Sequence, residues 1–410
     1  MKALEVNMDR EQIYSSLAQK NDRRIVLLVM DGVGGIPNKE GKTALEAAHT
    51  HNLDLLAQRS SCGLTVPVLP GITPGSGPAH FSLFGYDPIK YNVGRGILEA
   101  LGLDVSVGPQ DMTARGNFCS LQGDVVTDRR AGRISTETNG QLISLLKEKI
   151  REIDGVGVEL TSGKEHRFVL KLTHPKLSDR LGDADPQVEG EKVRYAEPLE
   201  QDEHTLFTAR IVKSFMERVR EVLKDSHPAN GVLLRGFTLP PRIPSMADLF
   251  QLRPAAIANY PMYRGLAKLV GMTVLPTGPE VEDEMATLRR EWDRYDYFFI
   301  HVKKTDSYGE DGNFENKKSV IEKVDCLIPE ILSLKPDVFA ITGDHSTPCR
   351  MKGHSWHPNP FLLFSPYVFA GACQRFTERE CAKGILGTFP SVDILPFLMA
   401  NALKLKKYGA

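Results

Sequence analysis

The sequence has almost no net charge. Its 410 residues include 51 Lys and Arg against 52 Asp and Glu, which gives a formal charge of -1. No broad basic field is therefore available to attract nucleic acid or an anionic membrane surface. We expect a small-molecule substrate, with neither nucleic acid nor a membrane as partner, and the sequence leaves the oligomeric state open.

The chain also lacks paired cysteines and long apolar runs. Its six cysteines are scattered without a Cys-x-x-Cys pair, which argues against a zinc ribbon or a disulfide scaffold. Asp9, Arg10 and Glu11 interrupt the N-terminal segment, so it fits neither a signal peptide nor a membrane-spanning helix. These absences predict a cytoplasmic protein with reduced thiols.

Four strand-sized apolar runs indicate an α/β sheet. The first, residues 24–30, shows no alternation of polar and apolar residues, as expected for a strand buried on both faces of a parallel sheet. Helical patterns at 316–334 and 391–403 alternate with the later runs. Those later runs are Tyr297–Val302, Val338–Thr342 and 361–364.

The middle of the chain has a different pattern, and the length favours two domains. Residues 167–172 alternate, 204–224 form an amphipathic stretch, and 182–202 resemble an acidic linker. We predict an α/β core with a mostly parallel sheet and an inserted α+β domain. The predicted bounds are 20–111 and 253–405 for the core and 112–252 for the insertion.

Acidic and histidine side chains lie at the ends of the four apolar runs. In open α/β sheets, functional groups gather beyond the carboxyl ends of the strands. Carboxylates with imidazoles suit Mn, Mg, Zn or Co, and two such ions could stabilise both oxygens of a phosphoryl displacement. A single Asp after a strand is more often a helix cap or turn former than a metal ligand, but such residues at four strand ends together favour a metal site. The residues concerned are Asp31, Asp306, Asp344, His345, His354 and His357.

Ser76 is the candidate nucleophile. It lies between Gly75 and Gly77 in a segment rich in glycine and proline. A metal ion would lower the pKa of its hydroxyl, and the glycines would allow a phosphate to approach the backbone. An incidental serine in a turn is the alternative, and the G-x-S-x-G spacing of an α/β-hydrolase is absent.

Basic side chains near acidic ones supply candidate substrate ligands. Arg129, Arg130 and Arg133 follow Asp128 and could bind phosphate or carboxylate through bidentate hydrogen bonds, although charge runs are commonly solvated turns. Arg235 follows an apolar run, a position that favours a cleft.

Two lysines stand beside Asp306. Lys303 and Lys304 could neutralise substrate charge, or they could offset the acidic residues Glu310 and Asp311. The sequence supports Lys303 as a substrate ligand only through this proximity.

A set of motifs in fixed order resembles the archaeal-type cofactor-independent phosphoglycerate mutases of the alkaline phosphatase superfamily. The matches extend from about residue 24 to residue 365, nearly the whole chain. They are LVMDG ending at Gly32, TPGS ending at Ser76, FGYDP ending at Pro88, GRG and EALG between Gly94 and Gly102, DRRAGR from Asp128 to Arg133, LRG ending at Gly236, and GDHSTP from Gly343 to Pro348.

The resemblance implies an alkaline phosphatase-like core and a substrate-binding role for the inserted domain. It also implies interconversion of 3-phosphoglycerate and 2-phosphoglycerate through a phosphoserine intermediate, with two divalent metal ions and no 2,3-bisphosphoglycerate. By position, it assigns Ser76 as the phosphate carrier. It also assigns three sets of ligands. These are Asp31, Ser76, Asp344 and His345 for one metal, Asp306 and His354, in preference to His357, for the other, and Asp128, Arg129 and Arg235 for the substrate.

One position departs from the family pattern. The family commonly has a histidine ligand where this chain has Glu310. A carboxylate can still bind a metal, and its harder oxygen favours Mn or Mg over Zn or Co. Two other functions stay open at this stage: a metal-dependent phosphatase or mutase for another phosphate ester, and a non-catalytic relative.

Overall fold

The protein is described here by a computed structural model, which covers residues 9–91 and 93–409. Residues 1–8 of the N-terminal segment discussed above lie outside the described residues. Among the helices of the described residues, none is long and apolar enough to cross a membrane. The chain forms two compact units, Met1–Asn92 with Ile243–Ala410, and Val93–Arg242.

The strands are numbered in chain order. They are β1 (Ile25–Met30), β2 (Ser61–Val66), β3 (Asp111–Gln122), β4 (Val125–Asp128), β5 (Glu152–Ile153), β6 (Val156–Ser162), β7 (Arg167–Thr173), β8 (Gly231–Thr238), β9 (Pro254–Ile257), β10 (Thr273–Val274), β11 (Tyr297–Val302), β12 (Val338–Thr342), β13 (Asn359–Phe364) and β14 (Thr388–Pro390).

The helices are numbered in the same way, and short 3₁₀ turns occupy Ala131–Arg133 and Ser391–Asp393. They are α1 (Arg10–Leu17), α2 (Ala44–Ala47), α3 (His51–Ala57), α4 (Ser76–Leu83), α5 (Arg95–Gly102), α6 (Thr136–Lys149), α7 (Glu203–Val222), α8 (Met246–Phe250), α9 (Pro261–Leu269), α10 (Val281–Glu291), α11 (Lys304–Asp311), α12 (Phe314–Ser333), α13 (Glu378–Cys381) and α14 (Ile394–Asn401).

The first unit is built on an eight-stranded sheet in the order β10-β9-β11-β1-β12-β13-β2-β14. Strand β1 pairs in parallel with β11 and β12, and all six of its residues are buried. Helix α12 begins at the cap Asn313 and buries an apolar stripe that includes Val320 and Val324. Packing on both faces explains the uninterrupted apolar runs of the central strands. The predicted α/β class with a mostly parallel sheet is confirmed.

The direction of β13 places its start beside the ends of its neighbours. Strand β13 pairs antiparallel with β12 and with β2. The residues before β13 therefore lie at the edge where β1, β11 and β12 end. This is how His354, which precedes a strand, comes to the same edge as Asp31, which follows one.

The second unit has its own antiparallel sheet and core. Its strands follow the order β4-β3-β7-β6-β5, and β8 also pairs with β3. Helices α6 and α7 cover apolar side chains of the sheet, such as Leu160 and Phe168, with their own buried Ile143 and Phe215.

The two compact units have bounds that differ from those of the predicted domains. The second unit begins at Val93 rather than 112 and ends at Arg242 rather than 252. Helix α5 belongs to it because Gly96 lets the helix approach the sheet closely; a Cβ there would meet the carbonyl oxygens of Thr113 and Gly236 at 2.6 Å. Helix α8 belongs to the first unit, where Met246 donates a backbone hydrogen bond to Val270.

Candidate active site

Asp31 is the first side chain beyond β1, and it is fully buried. Its Oδ2 accepts hydrogen bonds from Tyr263 at 2.5 Å and from Lys303 at 2.9 Å. Its Oδ1 has no hydrogen-bond partner among the described residues. Burial acts to raise the pKa of Asp31, but Lys303 and His301 hold it well below its ordinary value. One carboxylate oxygen is thus fixed and the other is free.

The two carboxylate oxygens of Asp344, which follows β12, differ in the same way as those of Asp31. Its Oδ1 accepts a hydrogen bond from the backbone N–H of Gly32 at 3.0 Å, while its buried Oδ2 has no partner within the described part of the chain. Burial and the charge of Asp31 raise the pKa of Asp344 well above its ordinary value. Two buried carboxylates side by side are costly unless a cation offsets them.

The tautomer of His345 can be worked out from its neighbours. The Thr347 hydroxyl donates to Asp306 Oδ1 at 2.6 Å, so its single proton is used there. His345 Nδ1, 3.0 Å from the same hydroxyl oxygen, must then carry a proton and donate it. The pKa of His345 falls to about 3 because the ring is buried, so Nε2 carries no proton and can accept.

Three acceptor atoms therefore converge. His345 Nε2 lies 3.4 Å from Asp31 Oδ1 and 3.2 Å from Asp344 Oδ2. The ligand atoms of these three residues all lie within 4.8 Å of one another. Two buried carboxylate oxygens without protein partners, together with an unprotonated imidazole nitrogen, fit a divalent cation, so the residues suit the metal that the family resemblance implies.

A second group of possible ligands shares His345. Asp306, on the first turn of α11, and His354 form it with His345. His354 Nε2 lies 3.6 Å from Asp306 Oδ1, while its Nδ1 is 3.0 Å from the carbonyl of Pro74, which makes Nδ1 the donor. His357 is not in the group, and its Nδ1 lies 3.0 Å from the Ser355 hydroxyl oxygen.

Glu310 lies at the margin of this second group. It follows Asp306 by one helical turn and so shares a face of α11. Its Oε1 is 3.8 Å from His354 Nε2, and its side chain is 56% exposed. Burial and the charge of Asp306 raise the pKa of Glu310. Lys304, the first residue of the same helix, forms an ion pair with the exposed Glu280.

Ser76 is the first residue of α4, after the cap Gly75. Its Oγ lies 3.4 Å from His345 Nε2, which places the hydroxyl beside the first group. The start of a helix presents free backbone N–H groups and favours an anion such as phosphate.

Several residues of this centre were not predicted from the sequence. Lys317 is buried in α12 and donates to the carbonyls of Gly32, Gly34 and Thr347. The buried ring of His301 stacks on Tyr263 with centroids 3.7 Å apart. A tyrosine in a helix and a lysine on an amphipathic face carry no distinguishing signal in one sequence.

The second unit holds three of the predicted substrate ligands, while Lys303 lies in the first unit. Arg129 forms a bidentate pair with the buried Asp185, and Arg235 donates to Asp183 at 3.2 Å. Asp128 accepts hydrogen bonds from the backbone N–H groups of Arg130 and Gly132. The segment 182–202 was predicted to be linker-like, and this is wrong, because its aspartates anchor both arginines.

Comparison with known proteins identifies the family. The sequence model described as 2,3-bisphosphoglycerate-independent phosphoglycerate mutase matches residues 57–230. The probable enzyme of that description from Thermosipho melanesiensis is 54% identical over 403 residues, which cover 98% of this chain and 100% of the relative. The chain belongs to the 2,3-bisphosphoglycerate-independent phosphoglycerate mutase family. Its members are isomerases, and the predicted enzyme class is confirmed.

Solved structures agree with this membership. The cofactor-independent phosphoglycerate mutase of Thermoplasma acidophilum has a TM-score of 0.71 at 29% identity and covers 93% of this chain and 100% of its own. The PH0037 protein of Pyrococcus horikoshii has a TM-score of 0.81 at 29% identity and covers 95% and 100%. The phosphoglycerate mutase fold thus extends over both units.

Proposed function

We propose that this enzyme interconverts 3-phosphoglycerate and 2-phosphoglycerate through a phosphoserine at Ser76. The observation that carries the proposal is the position of the Ser76 hydroxyl, 3.4 Å from His345 Nε2, where two groups of candidate metal ligands share that histidine. The name of the family supplies the substrate, and the convergence of nucleophile and ligands supports the chemistry.

Two sets of residues would hold divalent cations. Asp31, Ser76, Asp344 and His345 would hold one, and Asp306, His354 and Glu310 the other. Bound cations would lower the pKa of the Ser76 hydroxyl and offset charge on the phosphoryl group. The carboxylate-rich donor set favours Mn or Mg.

The other side chains prepare the reacting groups. Lys303 stays protonated: burial opposes its charge, but Asp31 and Asp306 raise its pKa above the ordinary value. Its ammonium can therefore contact a phosphoryl oxygen as well as the two carboxylates. The free N–H groups at the start of α4 would receive the phosphate once it is on Ser76. Asp128, Arg129 and Arg235 would bind the glycerate part of the substrate.

The transfer has two halves. In the first, the Ser76 hydroxyl gives up its proton and its Oγ forms a bond to phosphorus, while the bond from phosphorus to the ester oxygen of 3-phosphoglycerate breaks and that oxygen takes up a proton. In the second, the other hydroxyl of the retained glycerate loses its proton and attacks the phosphoserine, the bond from Ser76 Oγ to phosphorus breaks, and Ser76 regains a proton. Excluding water separates this transfer from hydrolysis.

An enolase-coupled assay of purified protein with 3-phosphoglycerate and Mn²⁺ tests the function. We expect formation of 2-phosphoglycerate without release of free phosphate. Phosphate release without 2-phosphoglycerate would reject the mutase proposal in favour of a phosphatase, and no turnover with any tested metal would indicate a non-catalytic relative.

A further inference from the structure

Asp185 in the second unit is a buried carboxylate that organises a predicted substrate ligand. Its side chain is 0% exposed. Arg129 donates to it through Nε at 3.0 Å and Nη2 at 2.6 Å, and the backbone N–H of Gln187 donates at 2.8 Å. A bidentate pair of this kind fixes the plane of the guanidinium as well as its position.

Asp183 acts in the same way on Arg235. Its Oδ2 accepts from Arg235 Nε at 3.2 Å, and its Oδ1 accepts from the backbone N–H of Gly236 at 2.9 Å. Arg235 Nε also lies 3.8 Å from Asp185 Oδ2. The two guanidiniums would repel each other if they were brought together alone, and these carboxylates offset that repulsion.

The backbone explains why both aspartates reach the arginines. Ala184 and Leu234 exchange backbone hydrogen bonds of 2.8 and 3.1 Å, which adds a short antiparallel bridge to β8. Side chains alternate along an extended chain. Asp183 and Asp185, on either side of Ala184, therefore project to one face, which is also the face of Arg235.

Each arginine keeps guanidinium N–H groups that donate to no described residue. Arg129 bonds Asp185 through Nε and Nη2, and Arg235 bonds Asp183 through Nε. The side chains are 23% and 28% exposed. Two partly exposed, pre-aligned guanidiniums with unused N–H groups are suited to a small carboxylate or phosphate.

We propose that Asp185 and Asp183 are positioning residues that set the affinity of the enzyme for phosphoglycerate. They hold Arg129 and Arg235 in the orientation that binds the acid groups of the substrate. This inference rests on the proposed function, since it takes the substrate to be phosphoglycerate. It concerns binding, so it can be tested separately from turnover.

Asp185→Asn tests the proposal. The amide keeps the size of the side chain but replaces one acceptor with a donor, which breaks the bidentate pair. We expect the calorimetric Kd for 3-phosphoglycerate and the KM to rise about ten-fold, with kcat changed less than about two-fold. Asp111→Asn is the matched control, because Asp111 is buried in the same unit and accepts from Gly108 and Thr173 rather than from an arginine.

A double-variant comparison separates positioning from general stability. If Asp185 acts through Arg129, Asp185→Asn should raise Kd by a smaller factor in an Arg129→Ala background than in the wild type. An equal factor in both backgrounds, or a lower Tm with unchanged Kd, would overturn the proposal. Should Asp185→Asn fail to fold, Asp183→Asn with Arg235→Ala provides the same comparison, because the Asp183 side chain is 32% exposed.

The two proposals fail in different ways. Wild-type protein that binds 3-phosphoglycerate but forms no 2-phosphoglycerate would reject the proposed function and leave the positioning role intact. Active wild-type protein with unchanged Kd in the Asp185→Asn and Asp183→Asn variants would reject the positioning role alone. Wild-type protein that does not bind 3-phosphoglycerate would reject both.

Discussion

Tyr263 donates a hydrogen bond of 2.5 Å to Oδ2 of Asp31. Burial, and then the charge of Asp31, raise the pKa of Tyr263 well above its ordinary value, so the hydroxyl keeps the proton that it donates. With Lys303 on the same oxygen, Oδ2 is engaged and Oδ1 is the atom available to a cation. Tyr263 thereby orients a candidate metal ligand without being one.

Tyr263→Phe should weaken metal binding. Removal of a hydrogen bond to a metal ligand commonly costs about 10-fold or more in affinity, and we expect a loss of that size for Mn²⁺ in calorimetric titration. Tyr297→Phe is the control, because the buried Tyr297 hydroxyl has no partner among the described residues. Equal Mn²⁺ affinity in the two variants would contradict the role of Tyr263.

Ser76→Ala should abolish mutase activity, with kcat reduced on the order of 10⁴-fold, because the variant lacks the hydroxyl proposed to carry the phosphoryl group. Intact-mass measurement after mixing with 3-phosphoglycerate should show a phosphorylated wild-type enzyme and an unmodified variant. Ser82→Ala changes a buried serine of the same helix, whose hydroxyl bonds the carbonyl of Pro67, and should stay active. A phosphorylated Ser76→Ala protein would show that another residue is the nucleophile.

The sequence predicted the central strands of the first unit more closely than the bounds of the two units. Continuous apolar runs locate the central strands, and β12 coincides with the predicted Val338–Thr342. The boundary at Val93 was missed because a helix such as α5 has the same local pattern whichever sheet it packs on. Which sheet it covers depends on close contacts such as that of Gly96 with Gly236, and these are long-range.

The candidate site was likewise predicted only in part. Residues at strand ends could be predicted because sheet topology brings them together, as with Asp31 and Asp344. Tyr263 could not, because its role depends on which side of α9 faces β1. Asp183 and Asp185 were missed for a different reason: an acidic segment without periodicity has the composition of a linker, and only its bridge to β8 shows otherwise.

Glu310→His should change the metal preference of the second group. Imidazole is a softer donor than carboxylate, so we expect affinity for Zn²⁺ or Co²⁺ to rise relative to Mn²⁺ or Mg²⁺. Competition titrations with paired metals measure this ratio. Asp311→His is the control, because Asp311 is an exposed neighbour on the same helix. An equal shift in both variants would mean that Glu310 has no special access to the metal.

Lys317→Met should destabilise the loops that carry the site. The variant leaves the carbonyls of Gly32 and Thr347 without their donor, and we expect a loss of about 3 kcal/mol in the free energy of unfolding. Lys318→Met is the control, because Lys318 forms only a surface pair with Glu315. Denaturant unfolding that is equal for both variants would contradict a structural role for Lys317.

Glu378 makes the stability of the first unit depend on pH. Its carboxylate accepts from the Gly35 N–H and the Thr43 hydroxyl, yet burial raises its pKa to about 7 from an ordinary 4.5. The folded state therefore holds this proton more tightly than the unfolded state. The resulting stabilisation is complete below the ordinary pKa and is lost as the pH rises through about 7.

Glu378→Gln should remove that dependence, because glutamine stays neutral. The Tm of the variant minus that of the wild type should increase from about pH 5 to about pH 8, as only the wild type acquires a buried charge. Glu380→Gln is the control, because hydrogen bonds from Lys383 and Gln374 lower the pKa of Glu380. Glu380 is therefore ionised throughout this pH range, and the difference in Tm between Glu380→Gln and the wild type should stay constant. A constant difference for Glu378→Gln as well would show that Glu378 does not titrate in this interval.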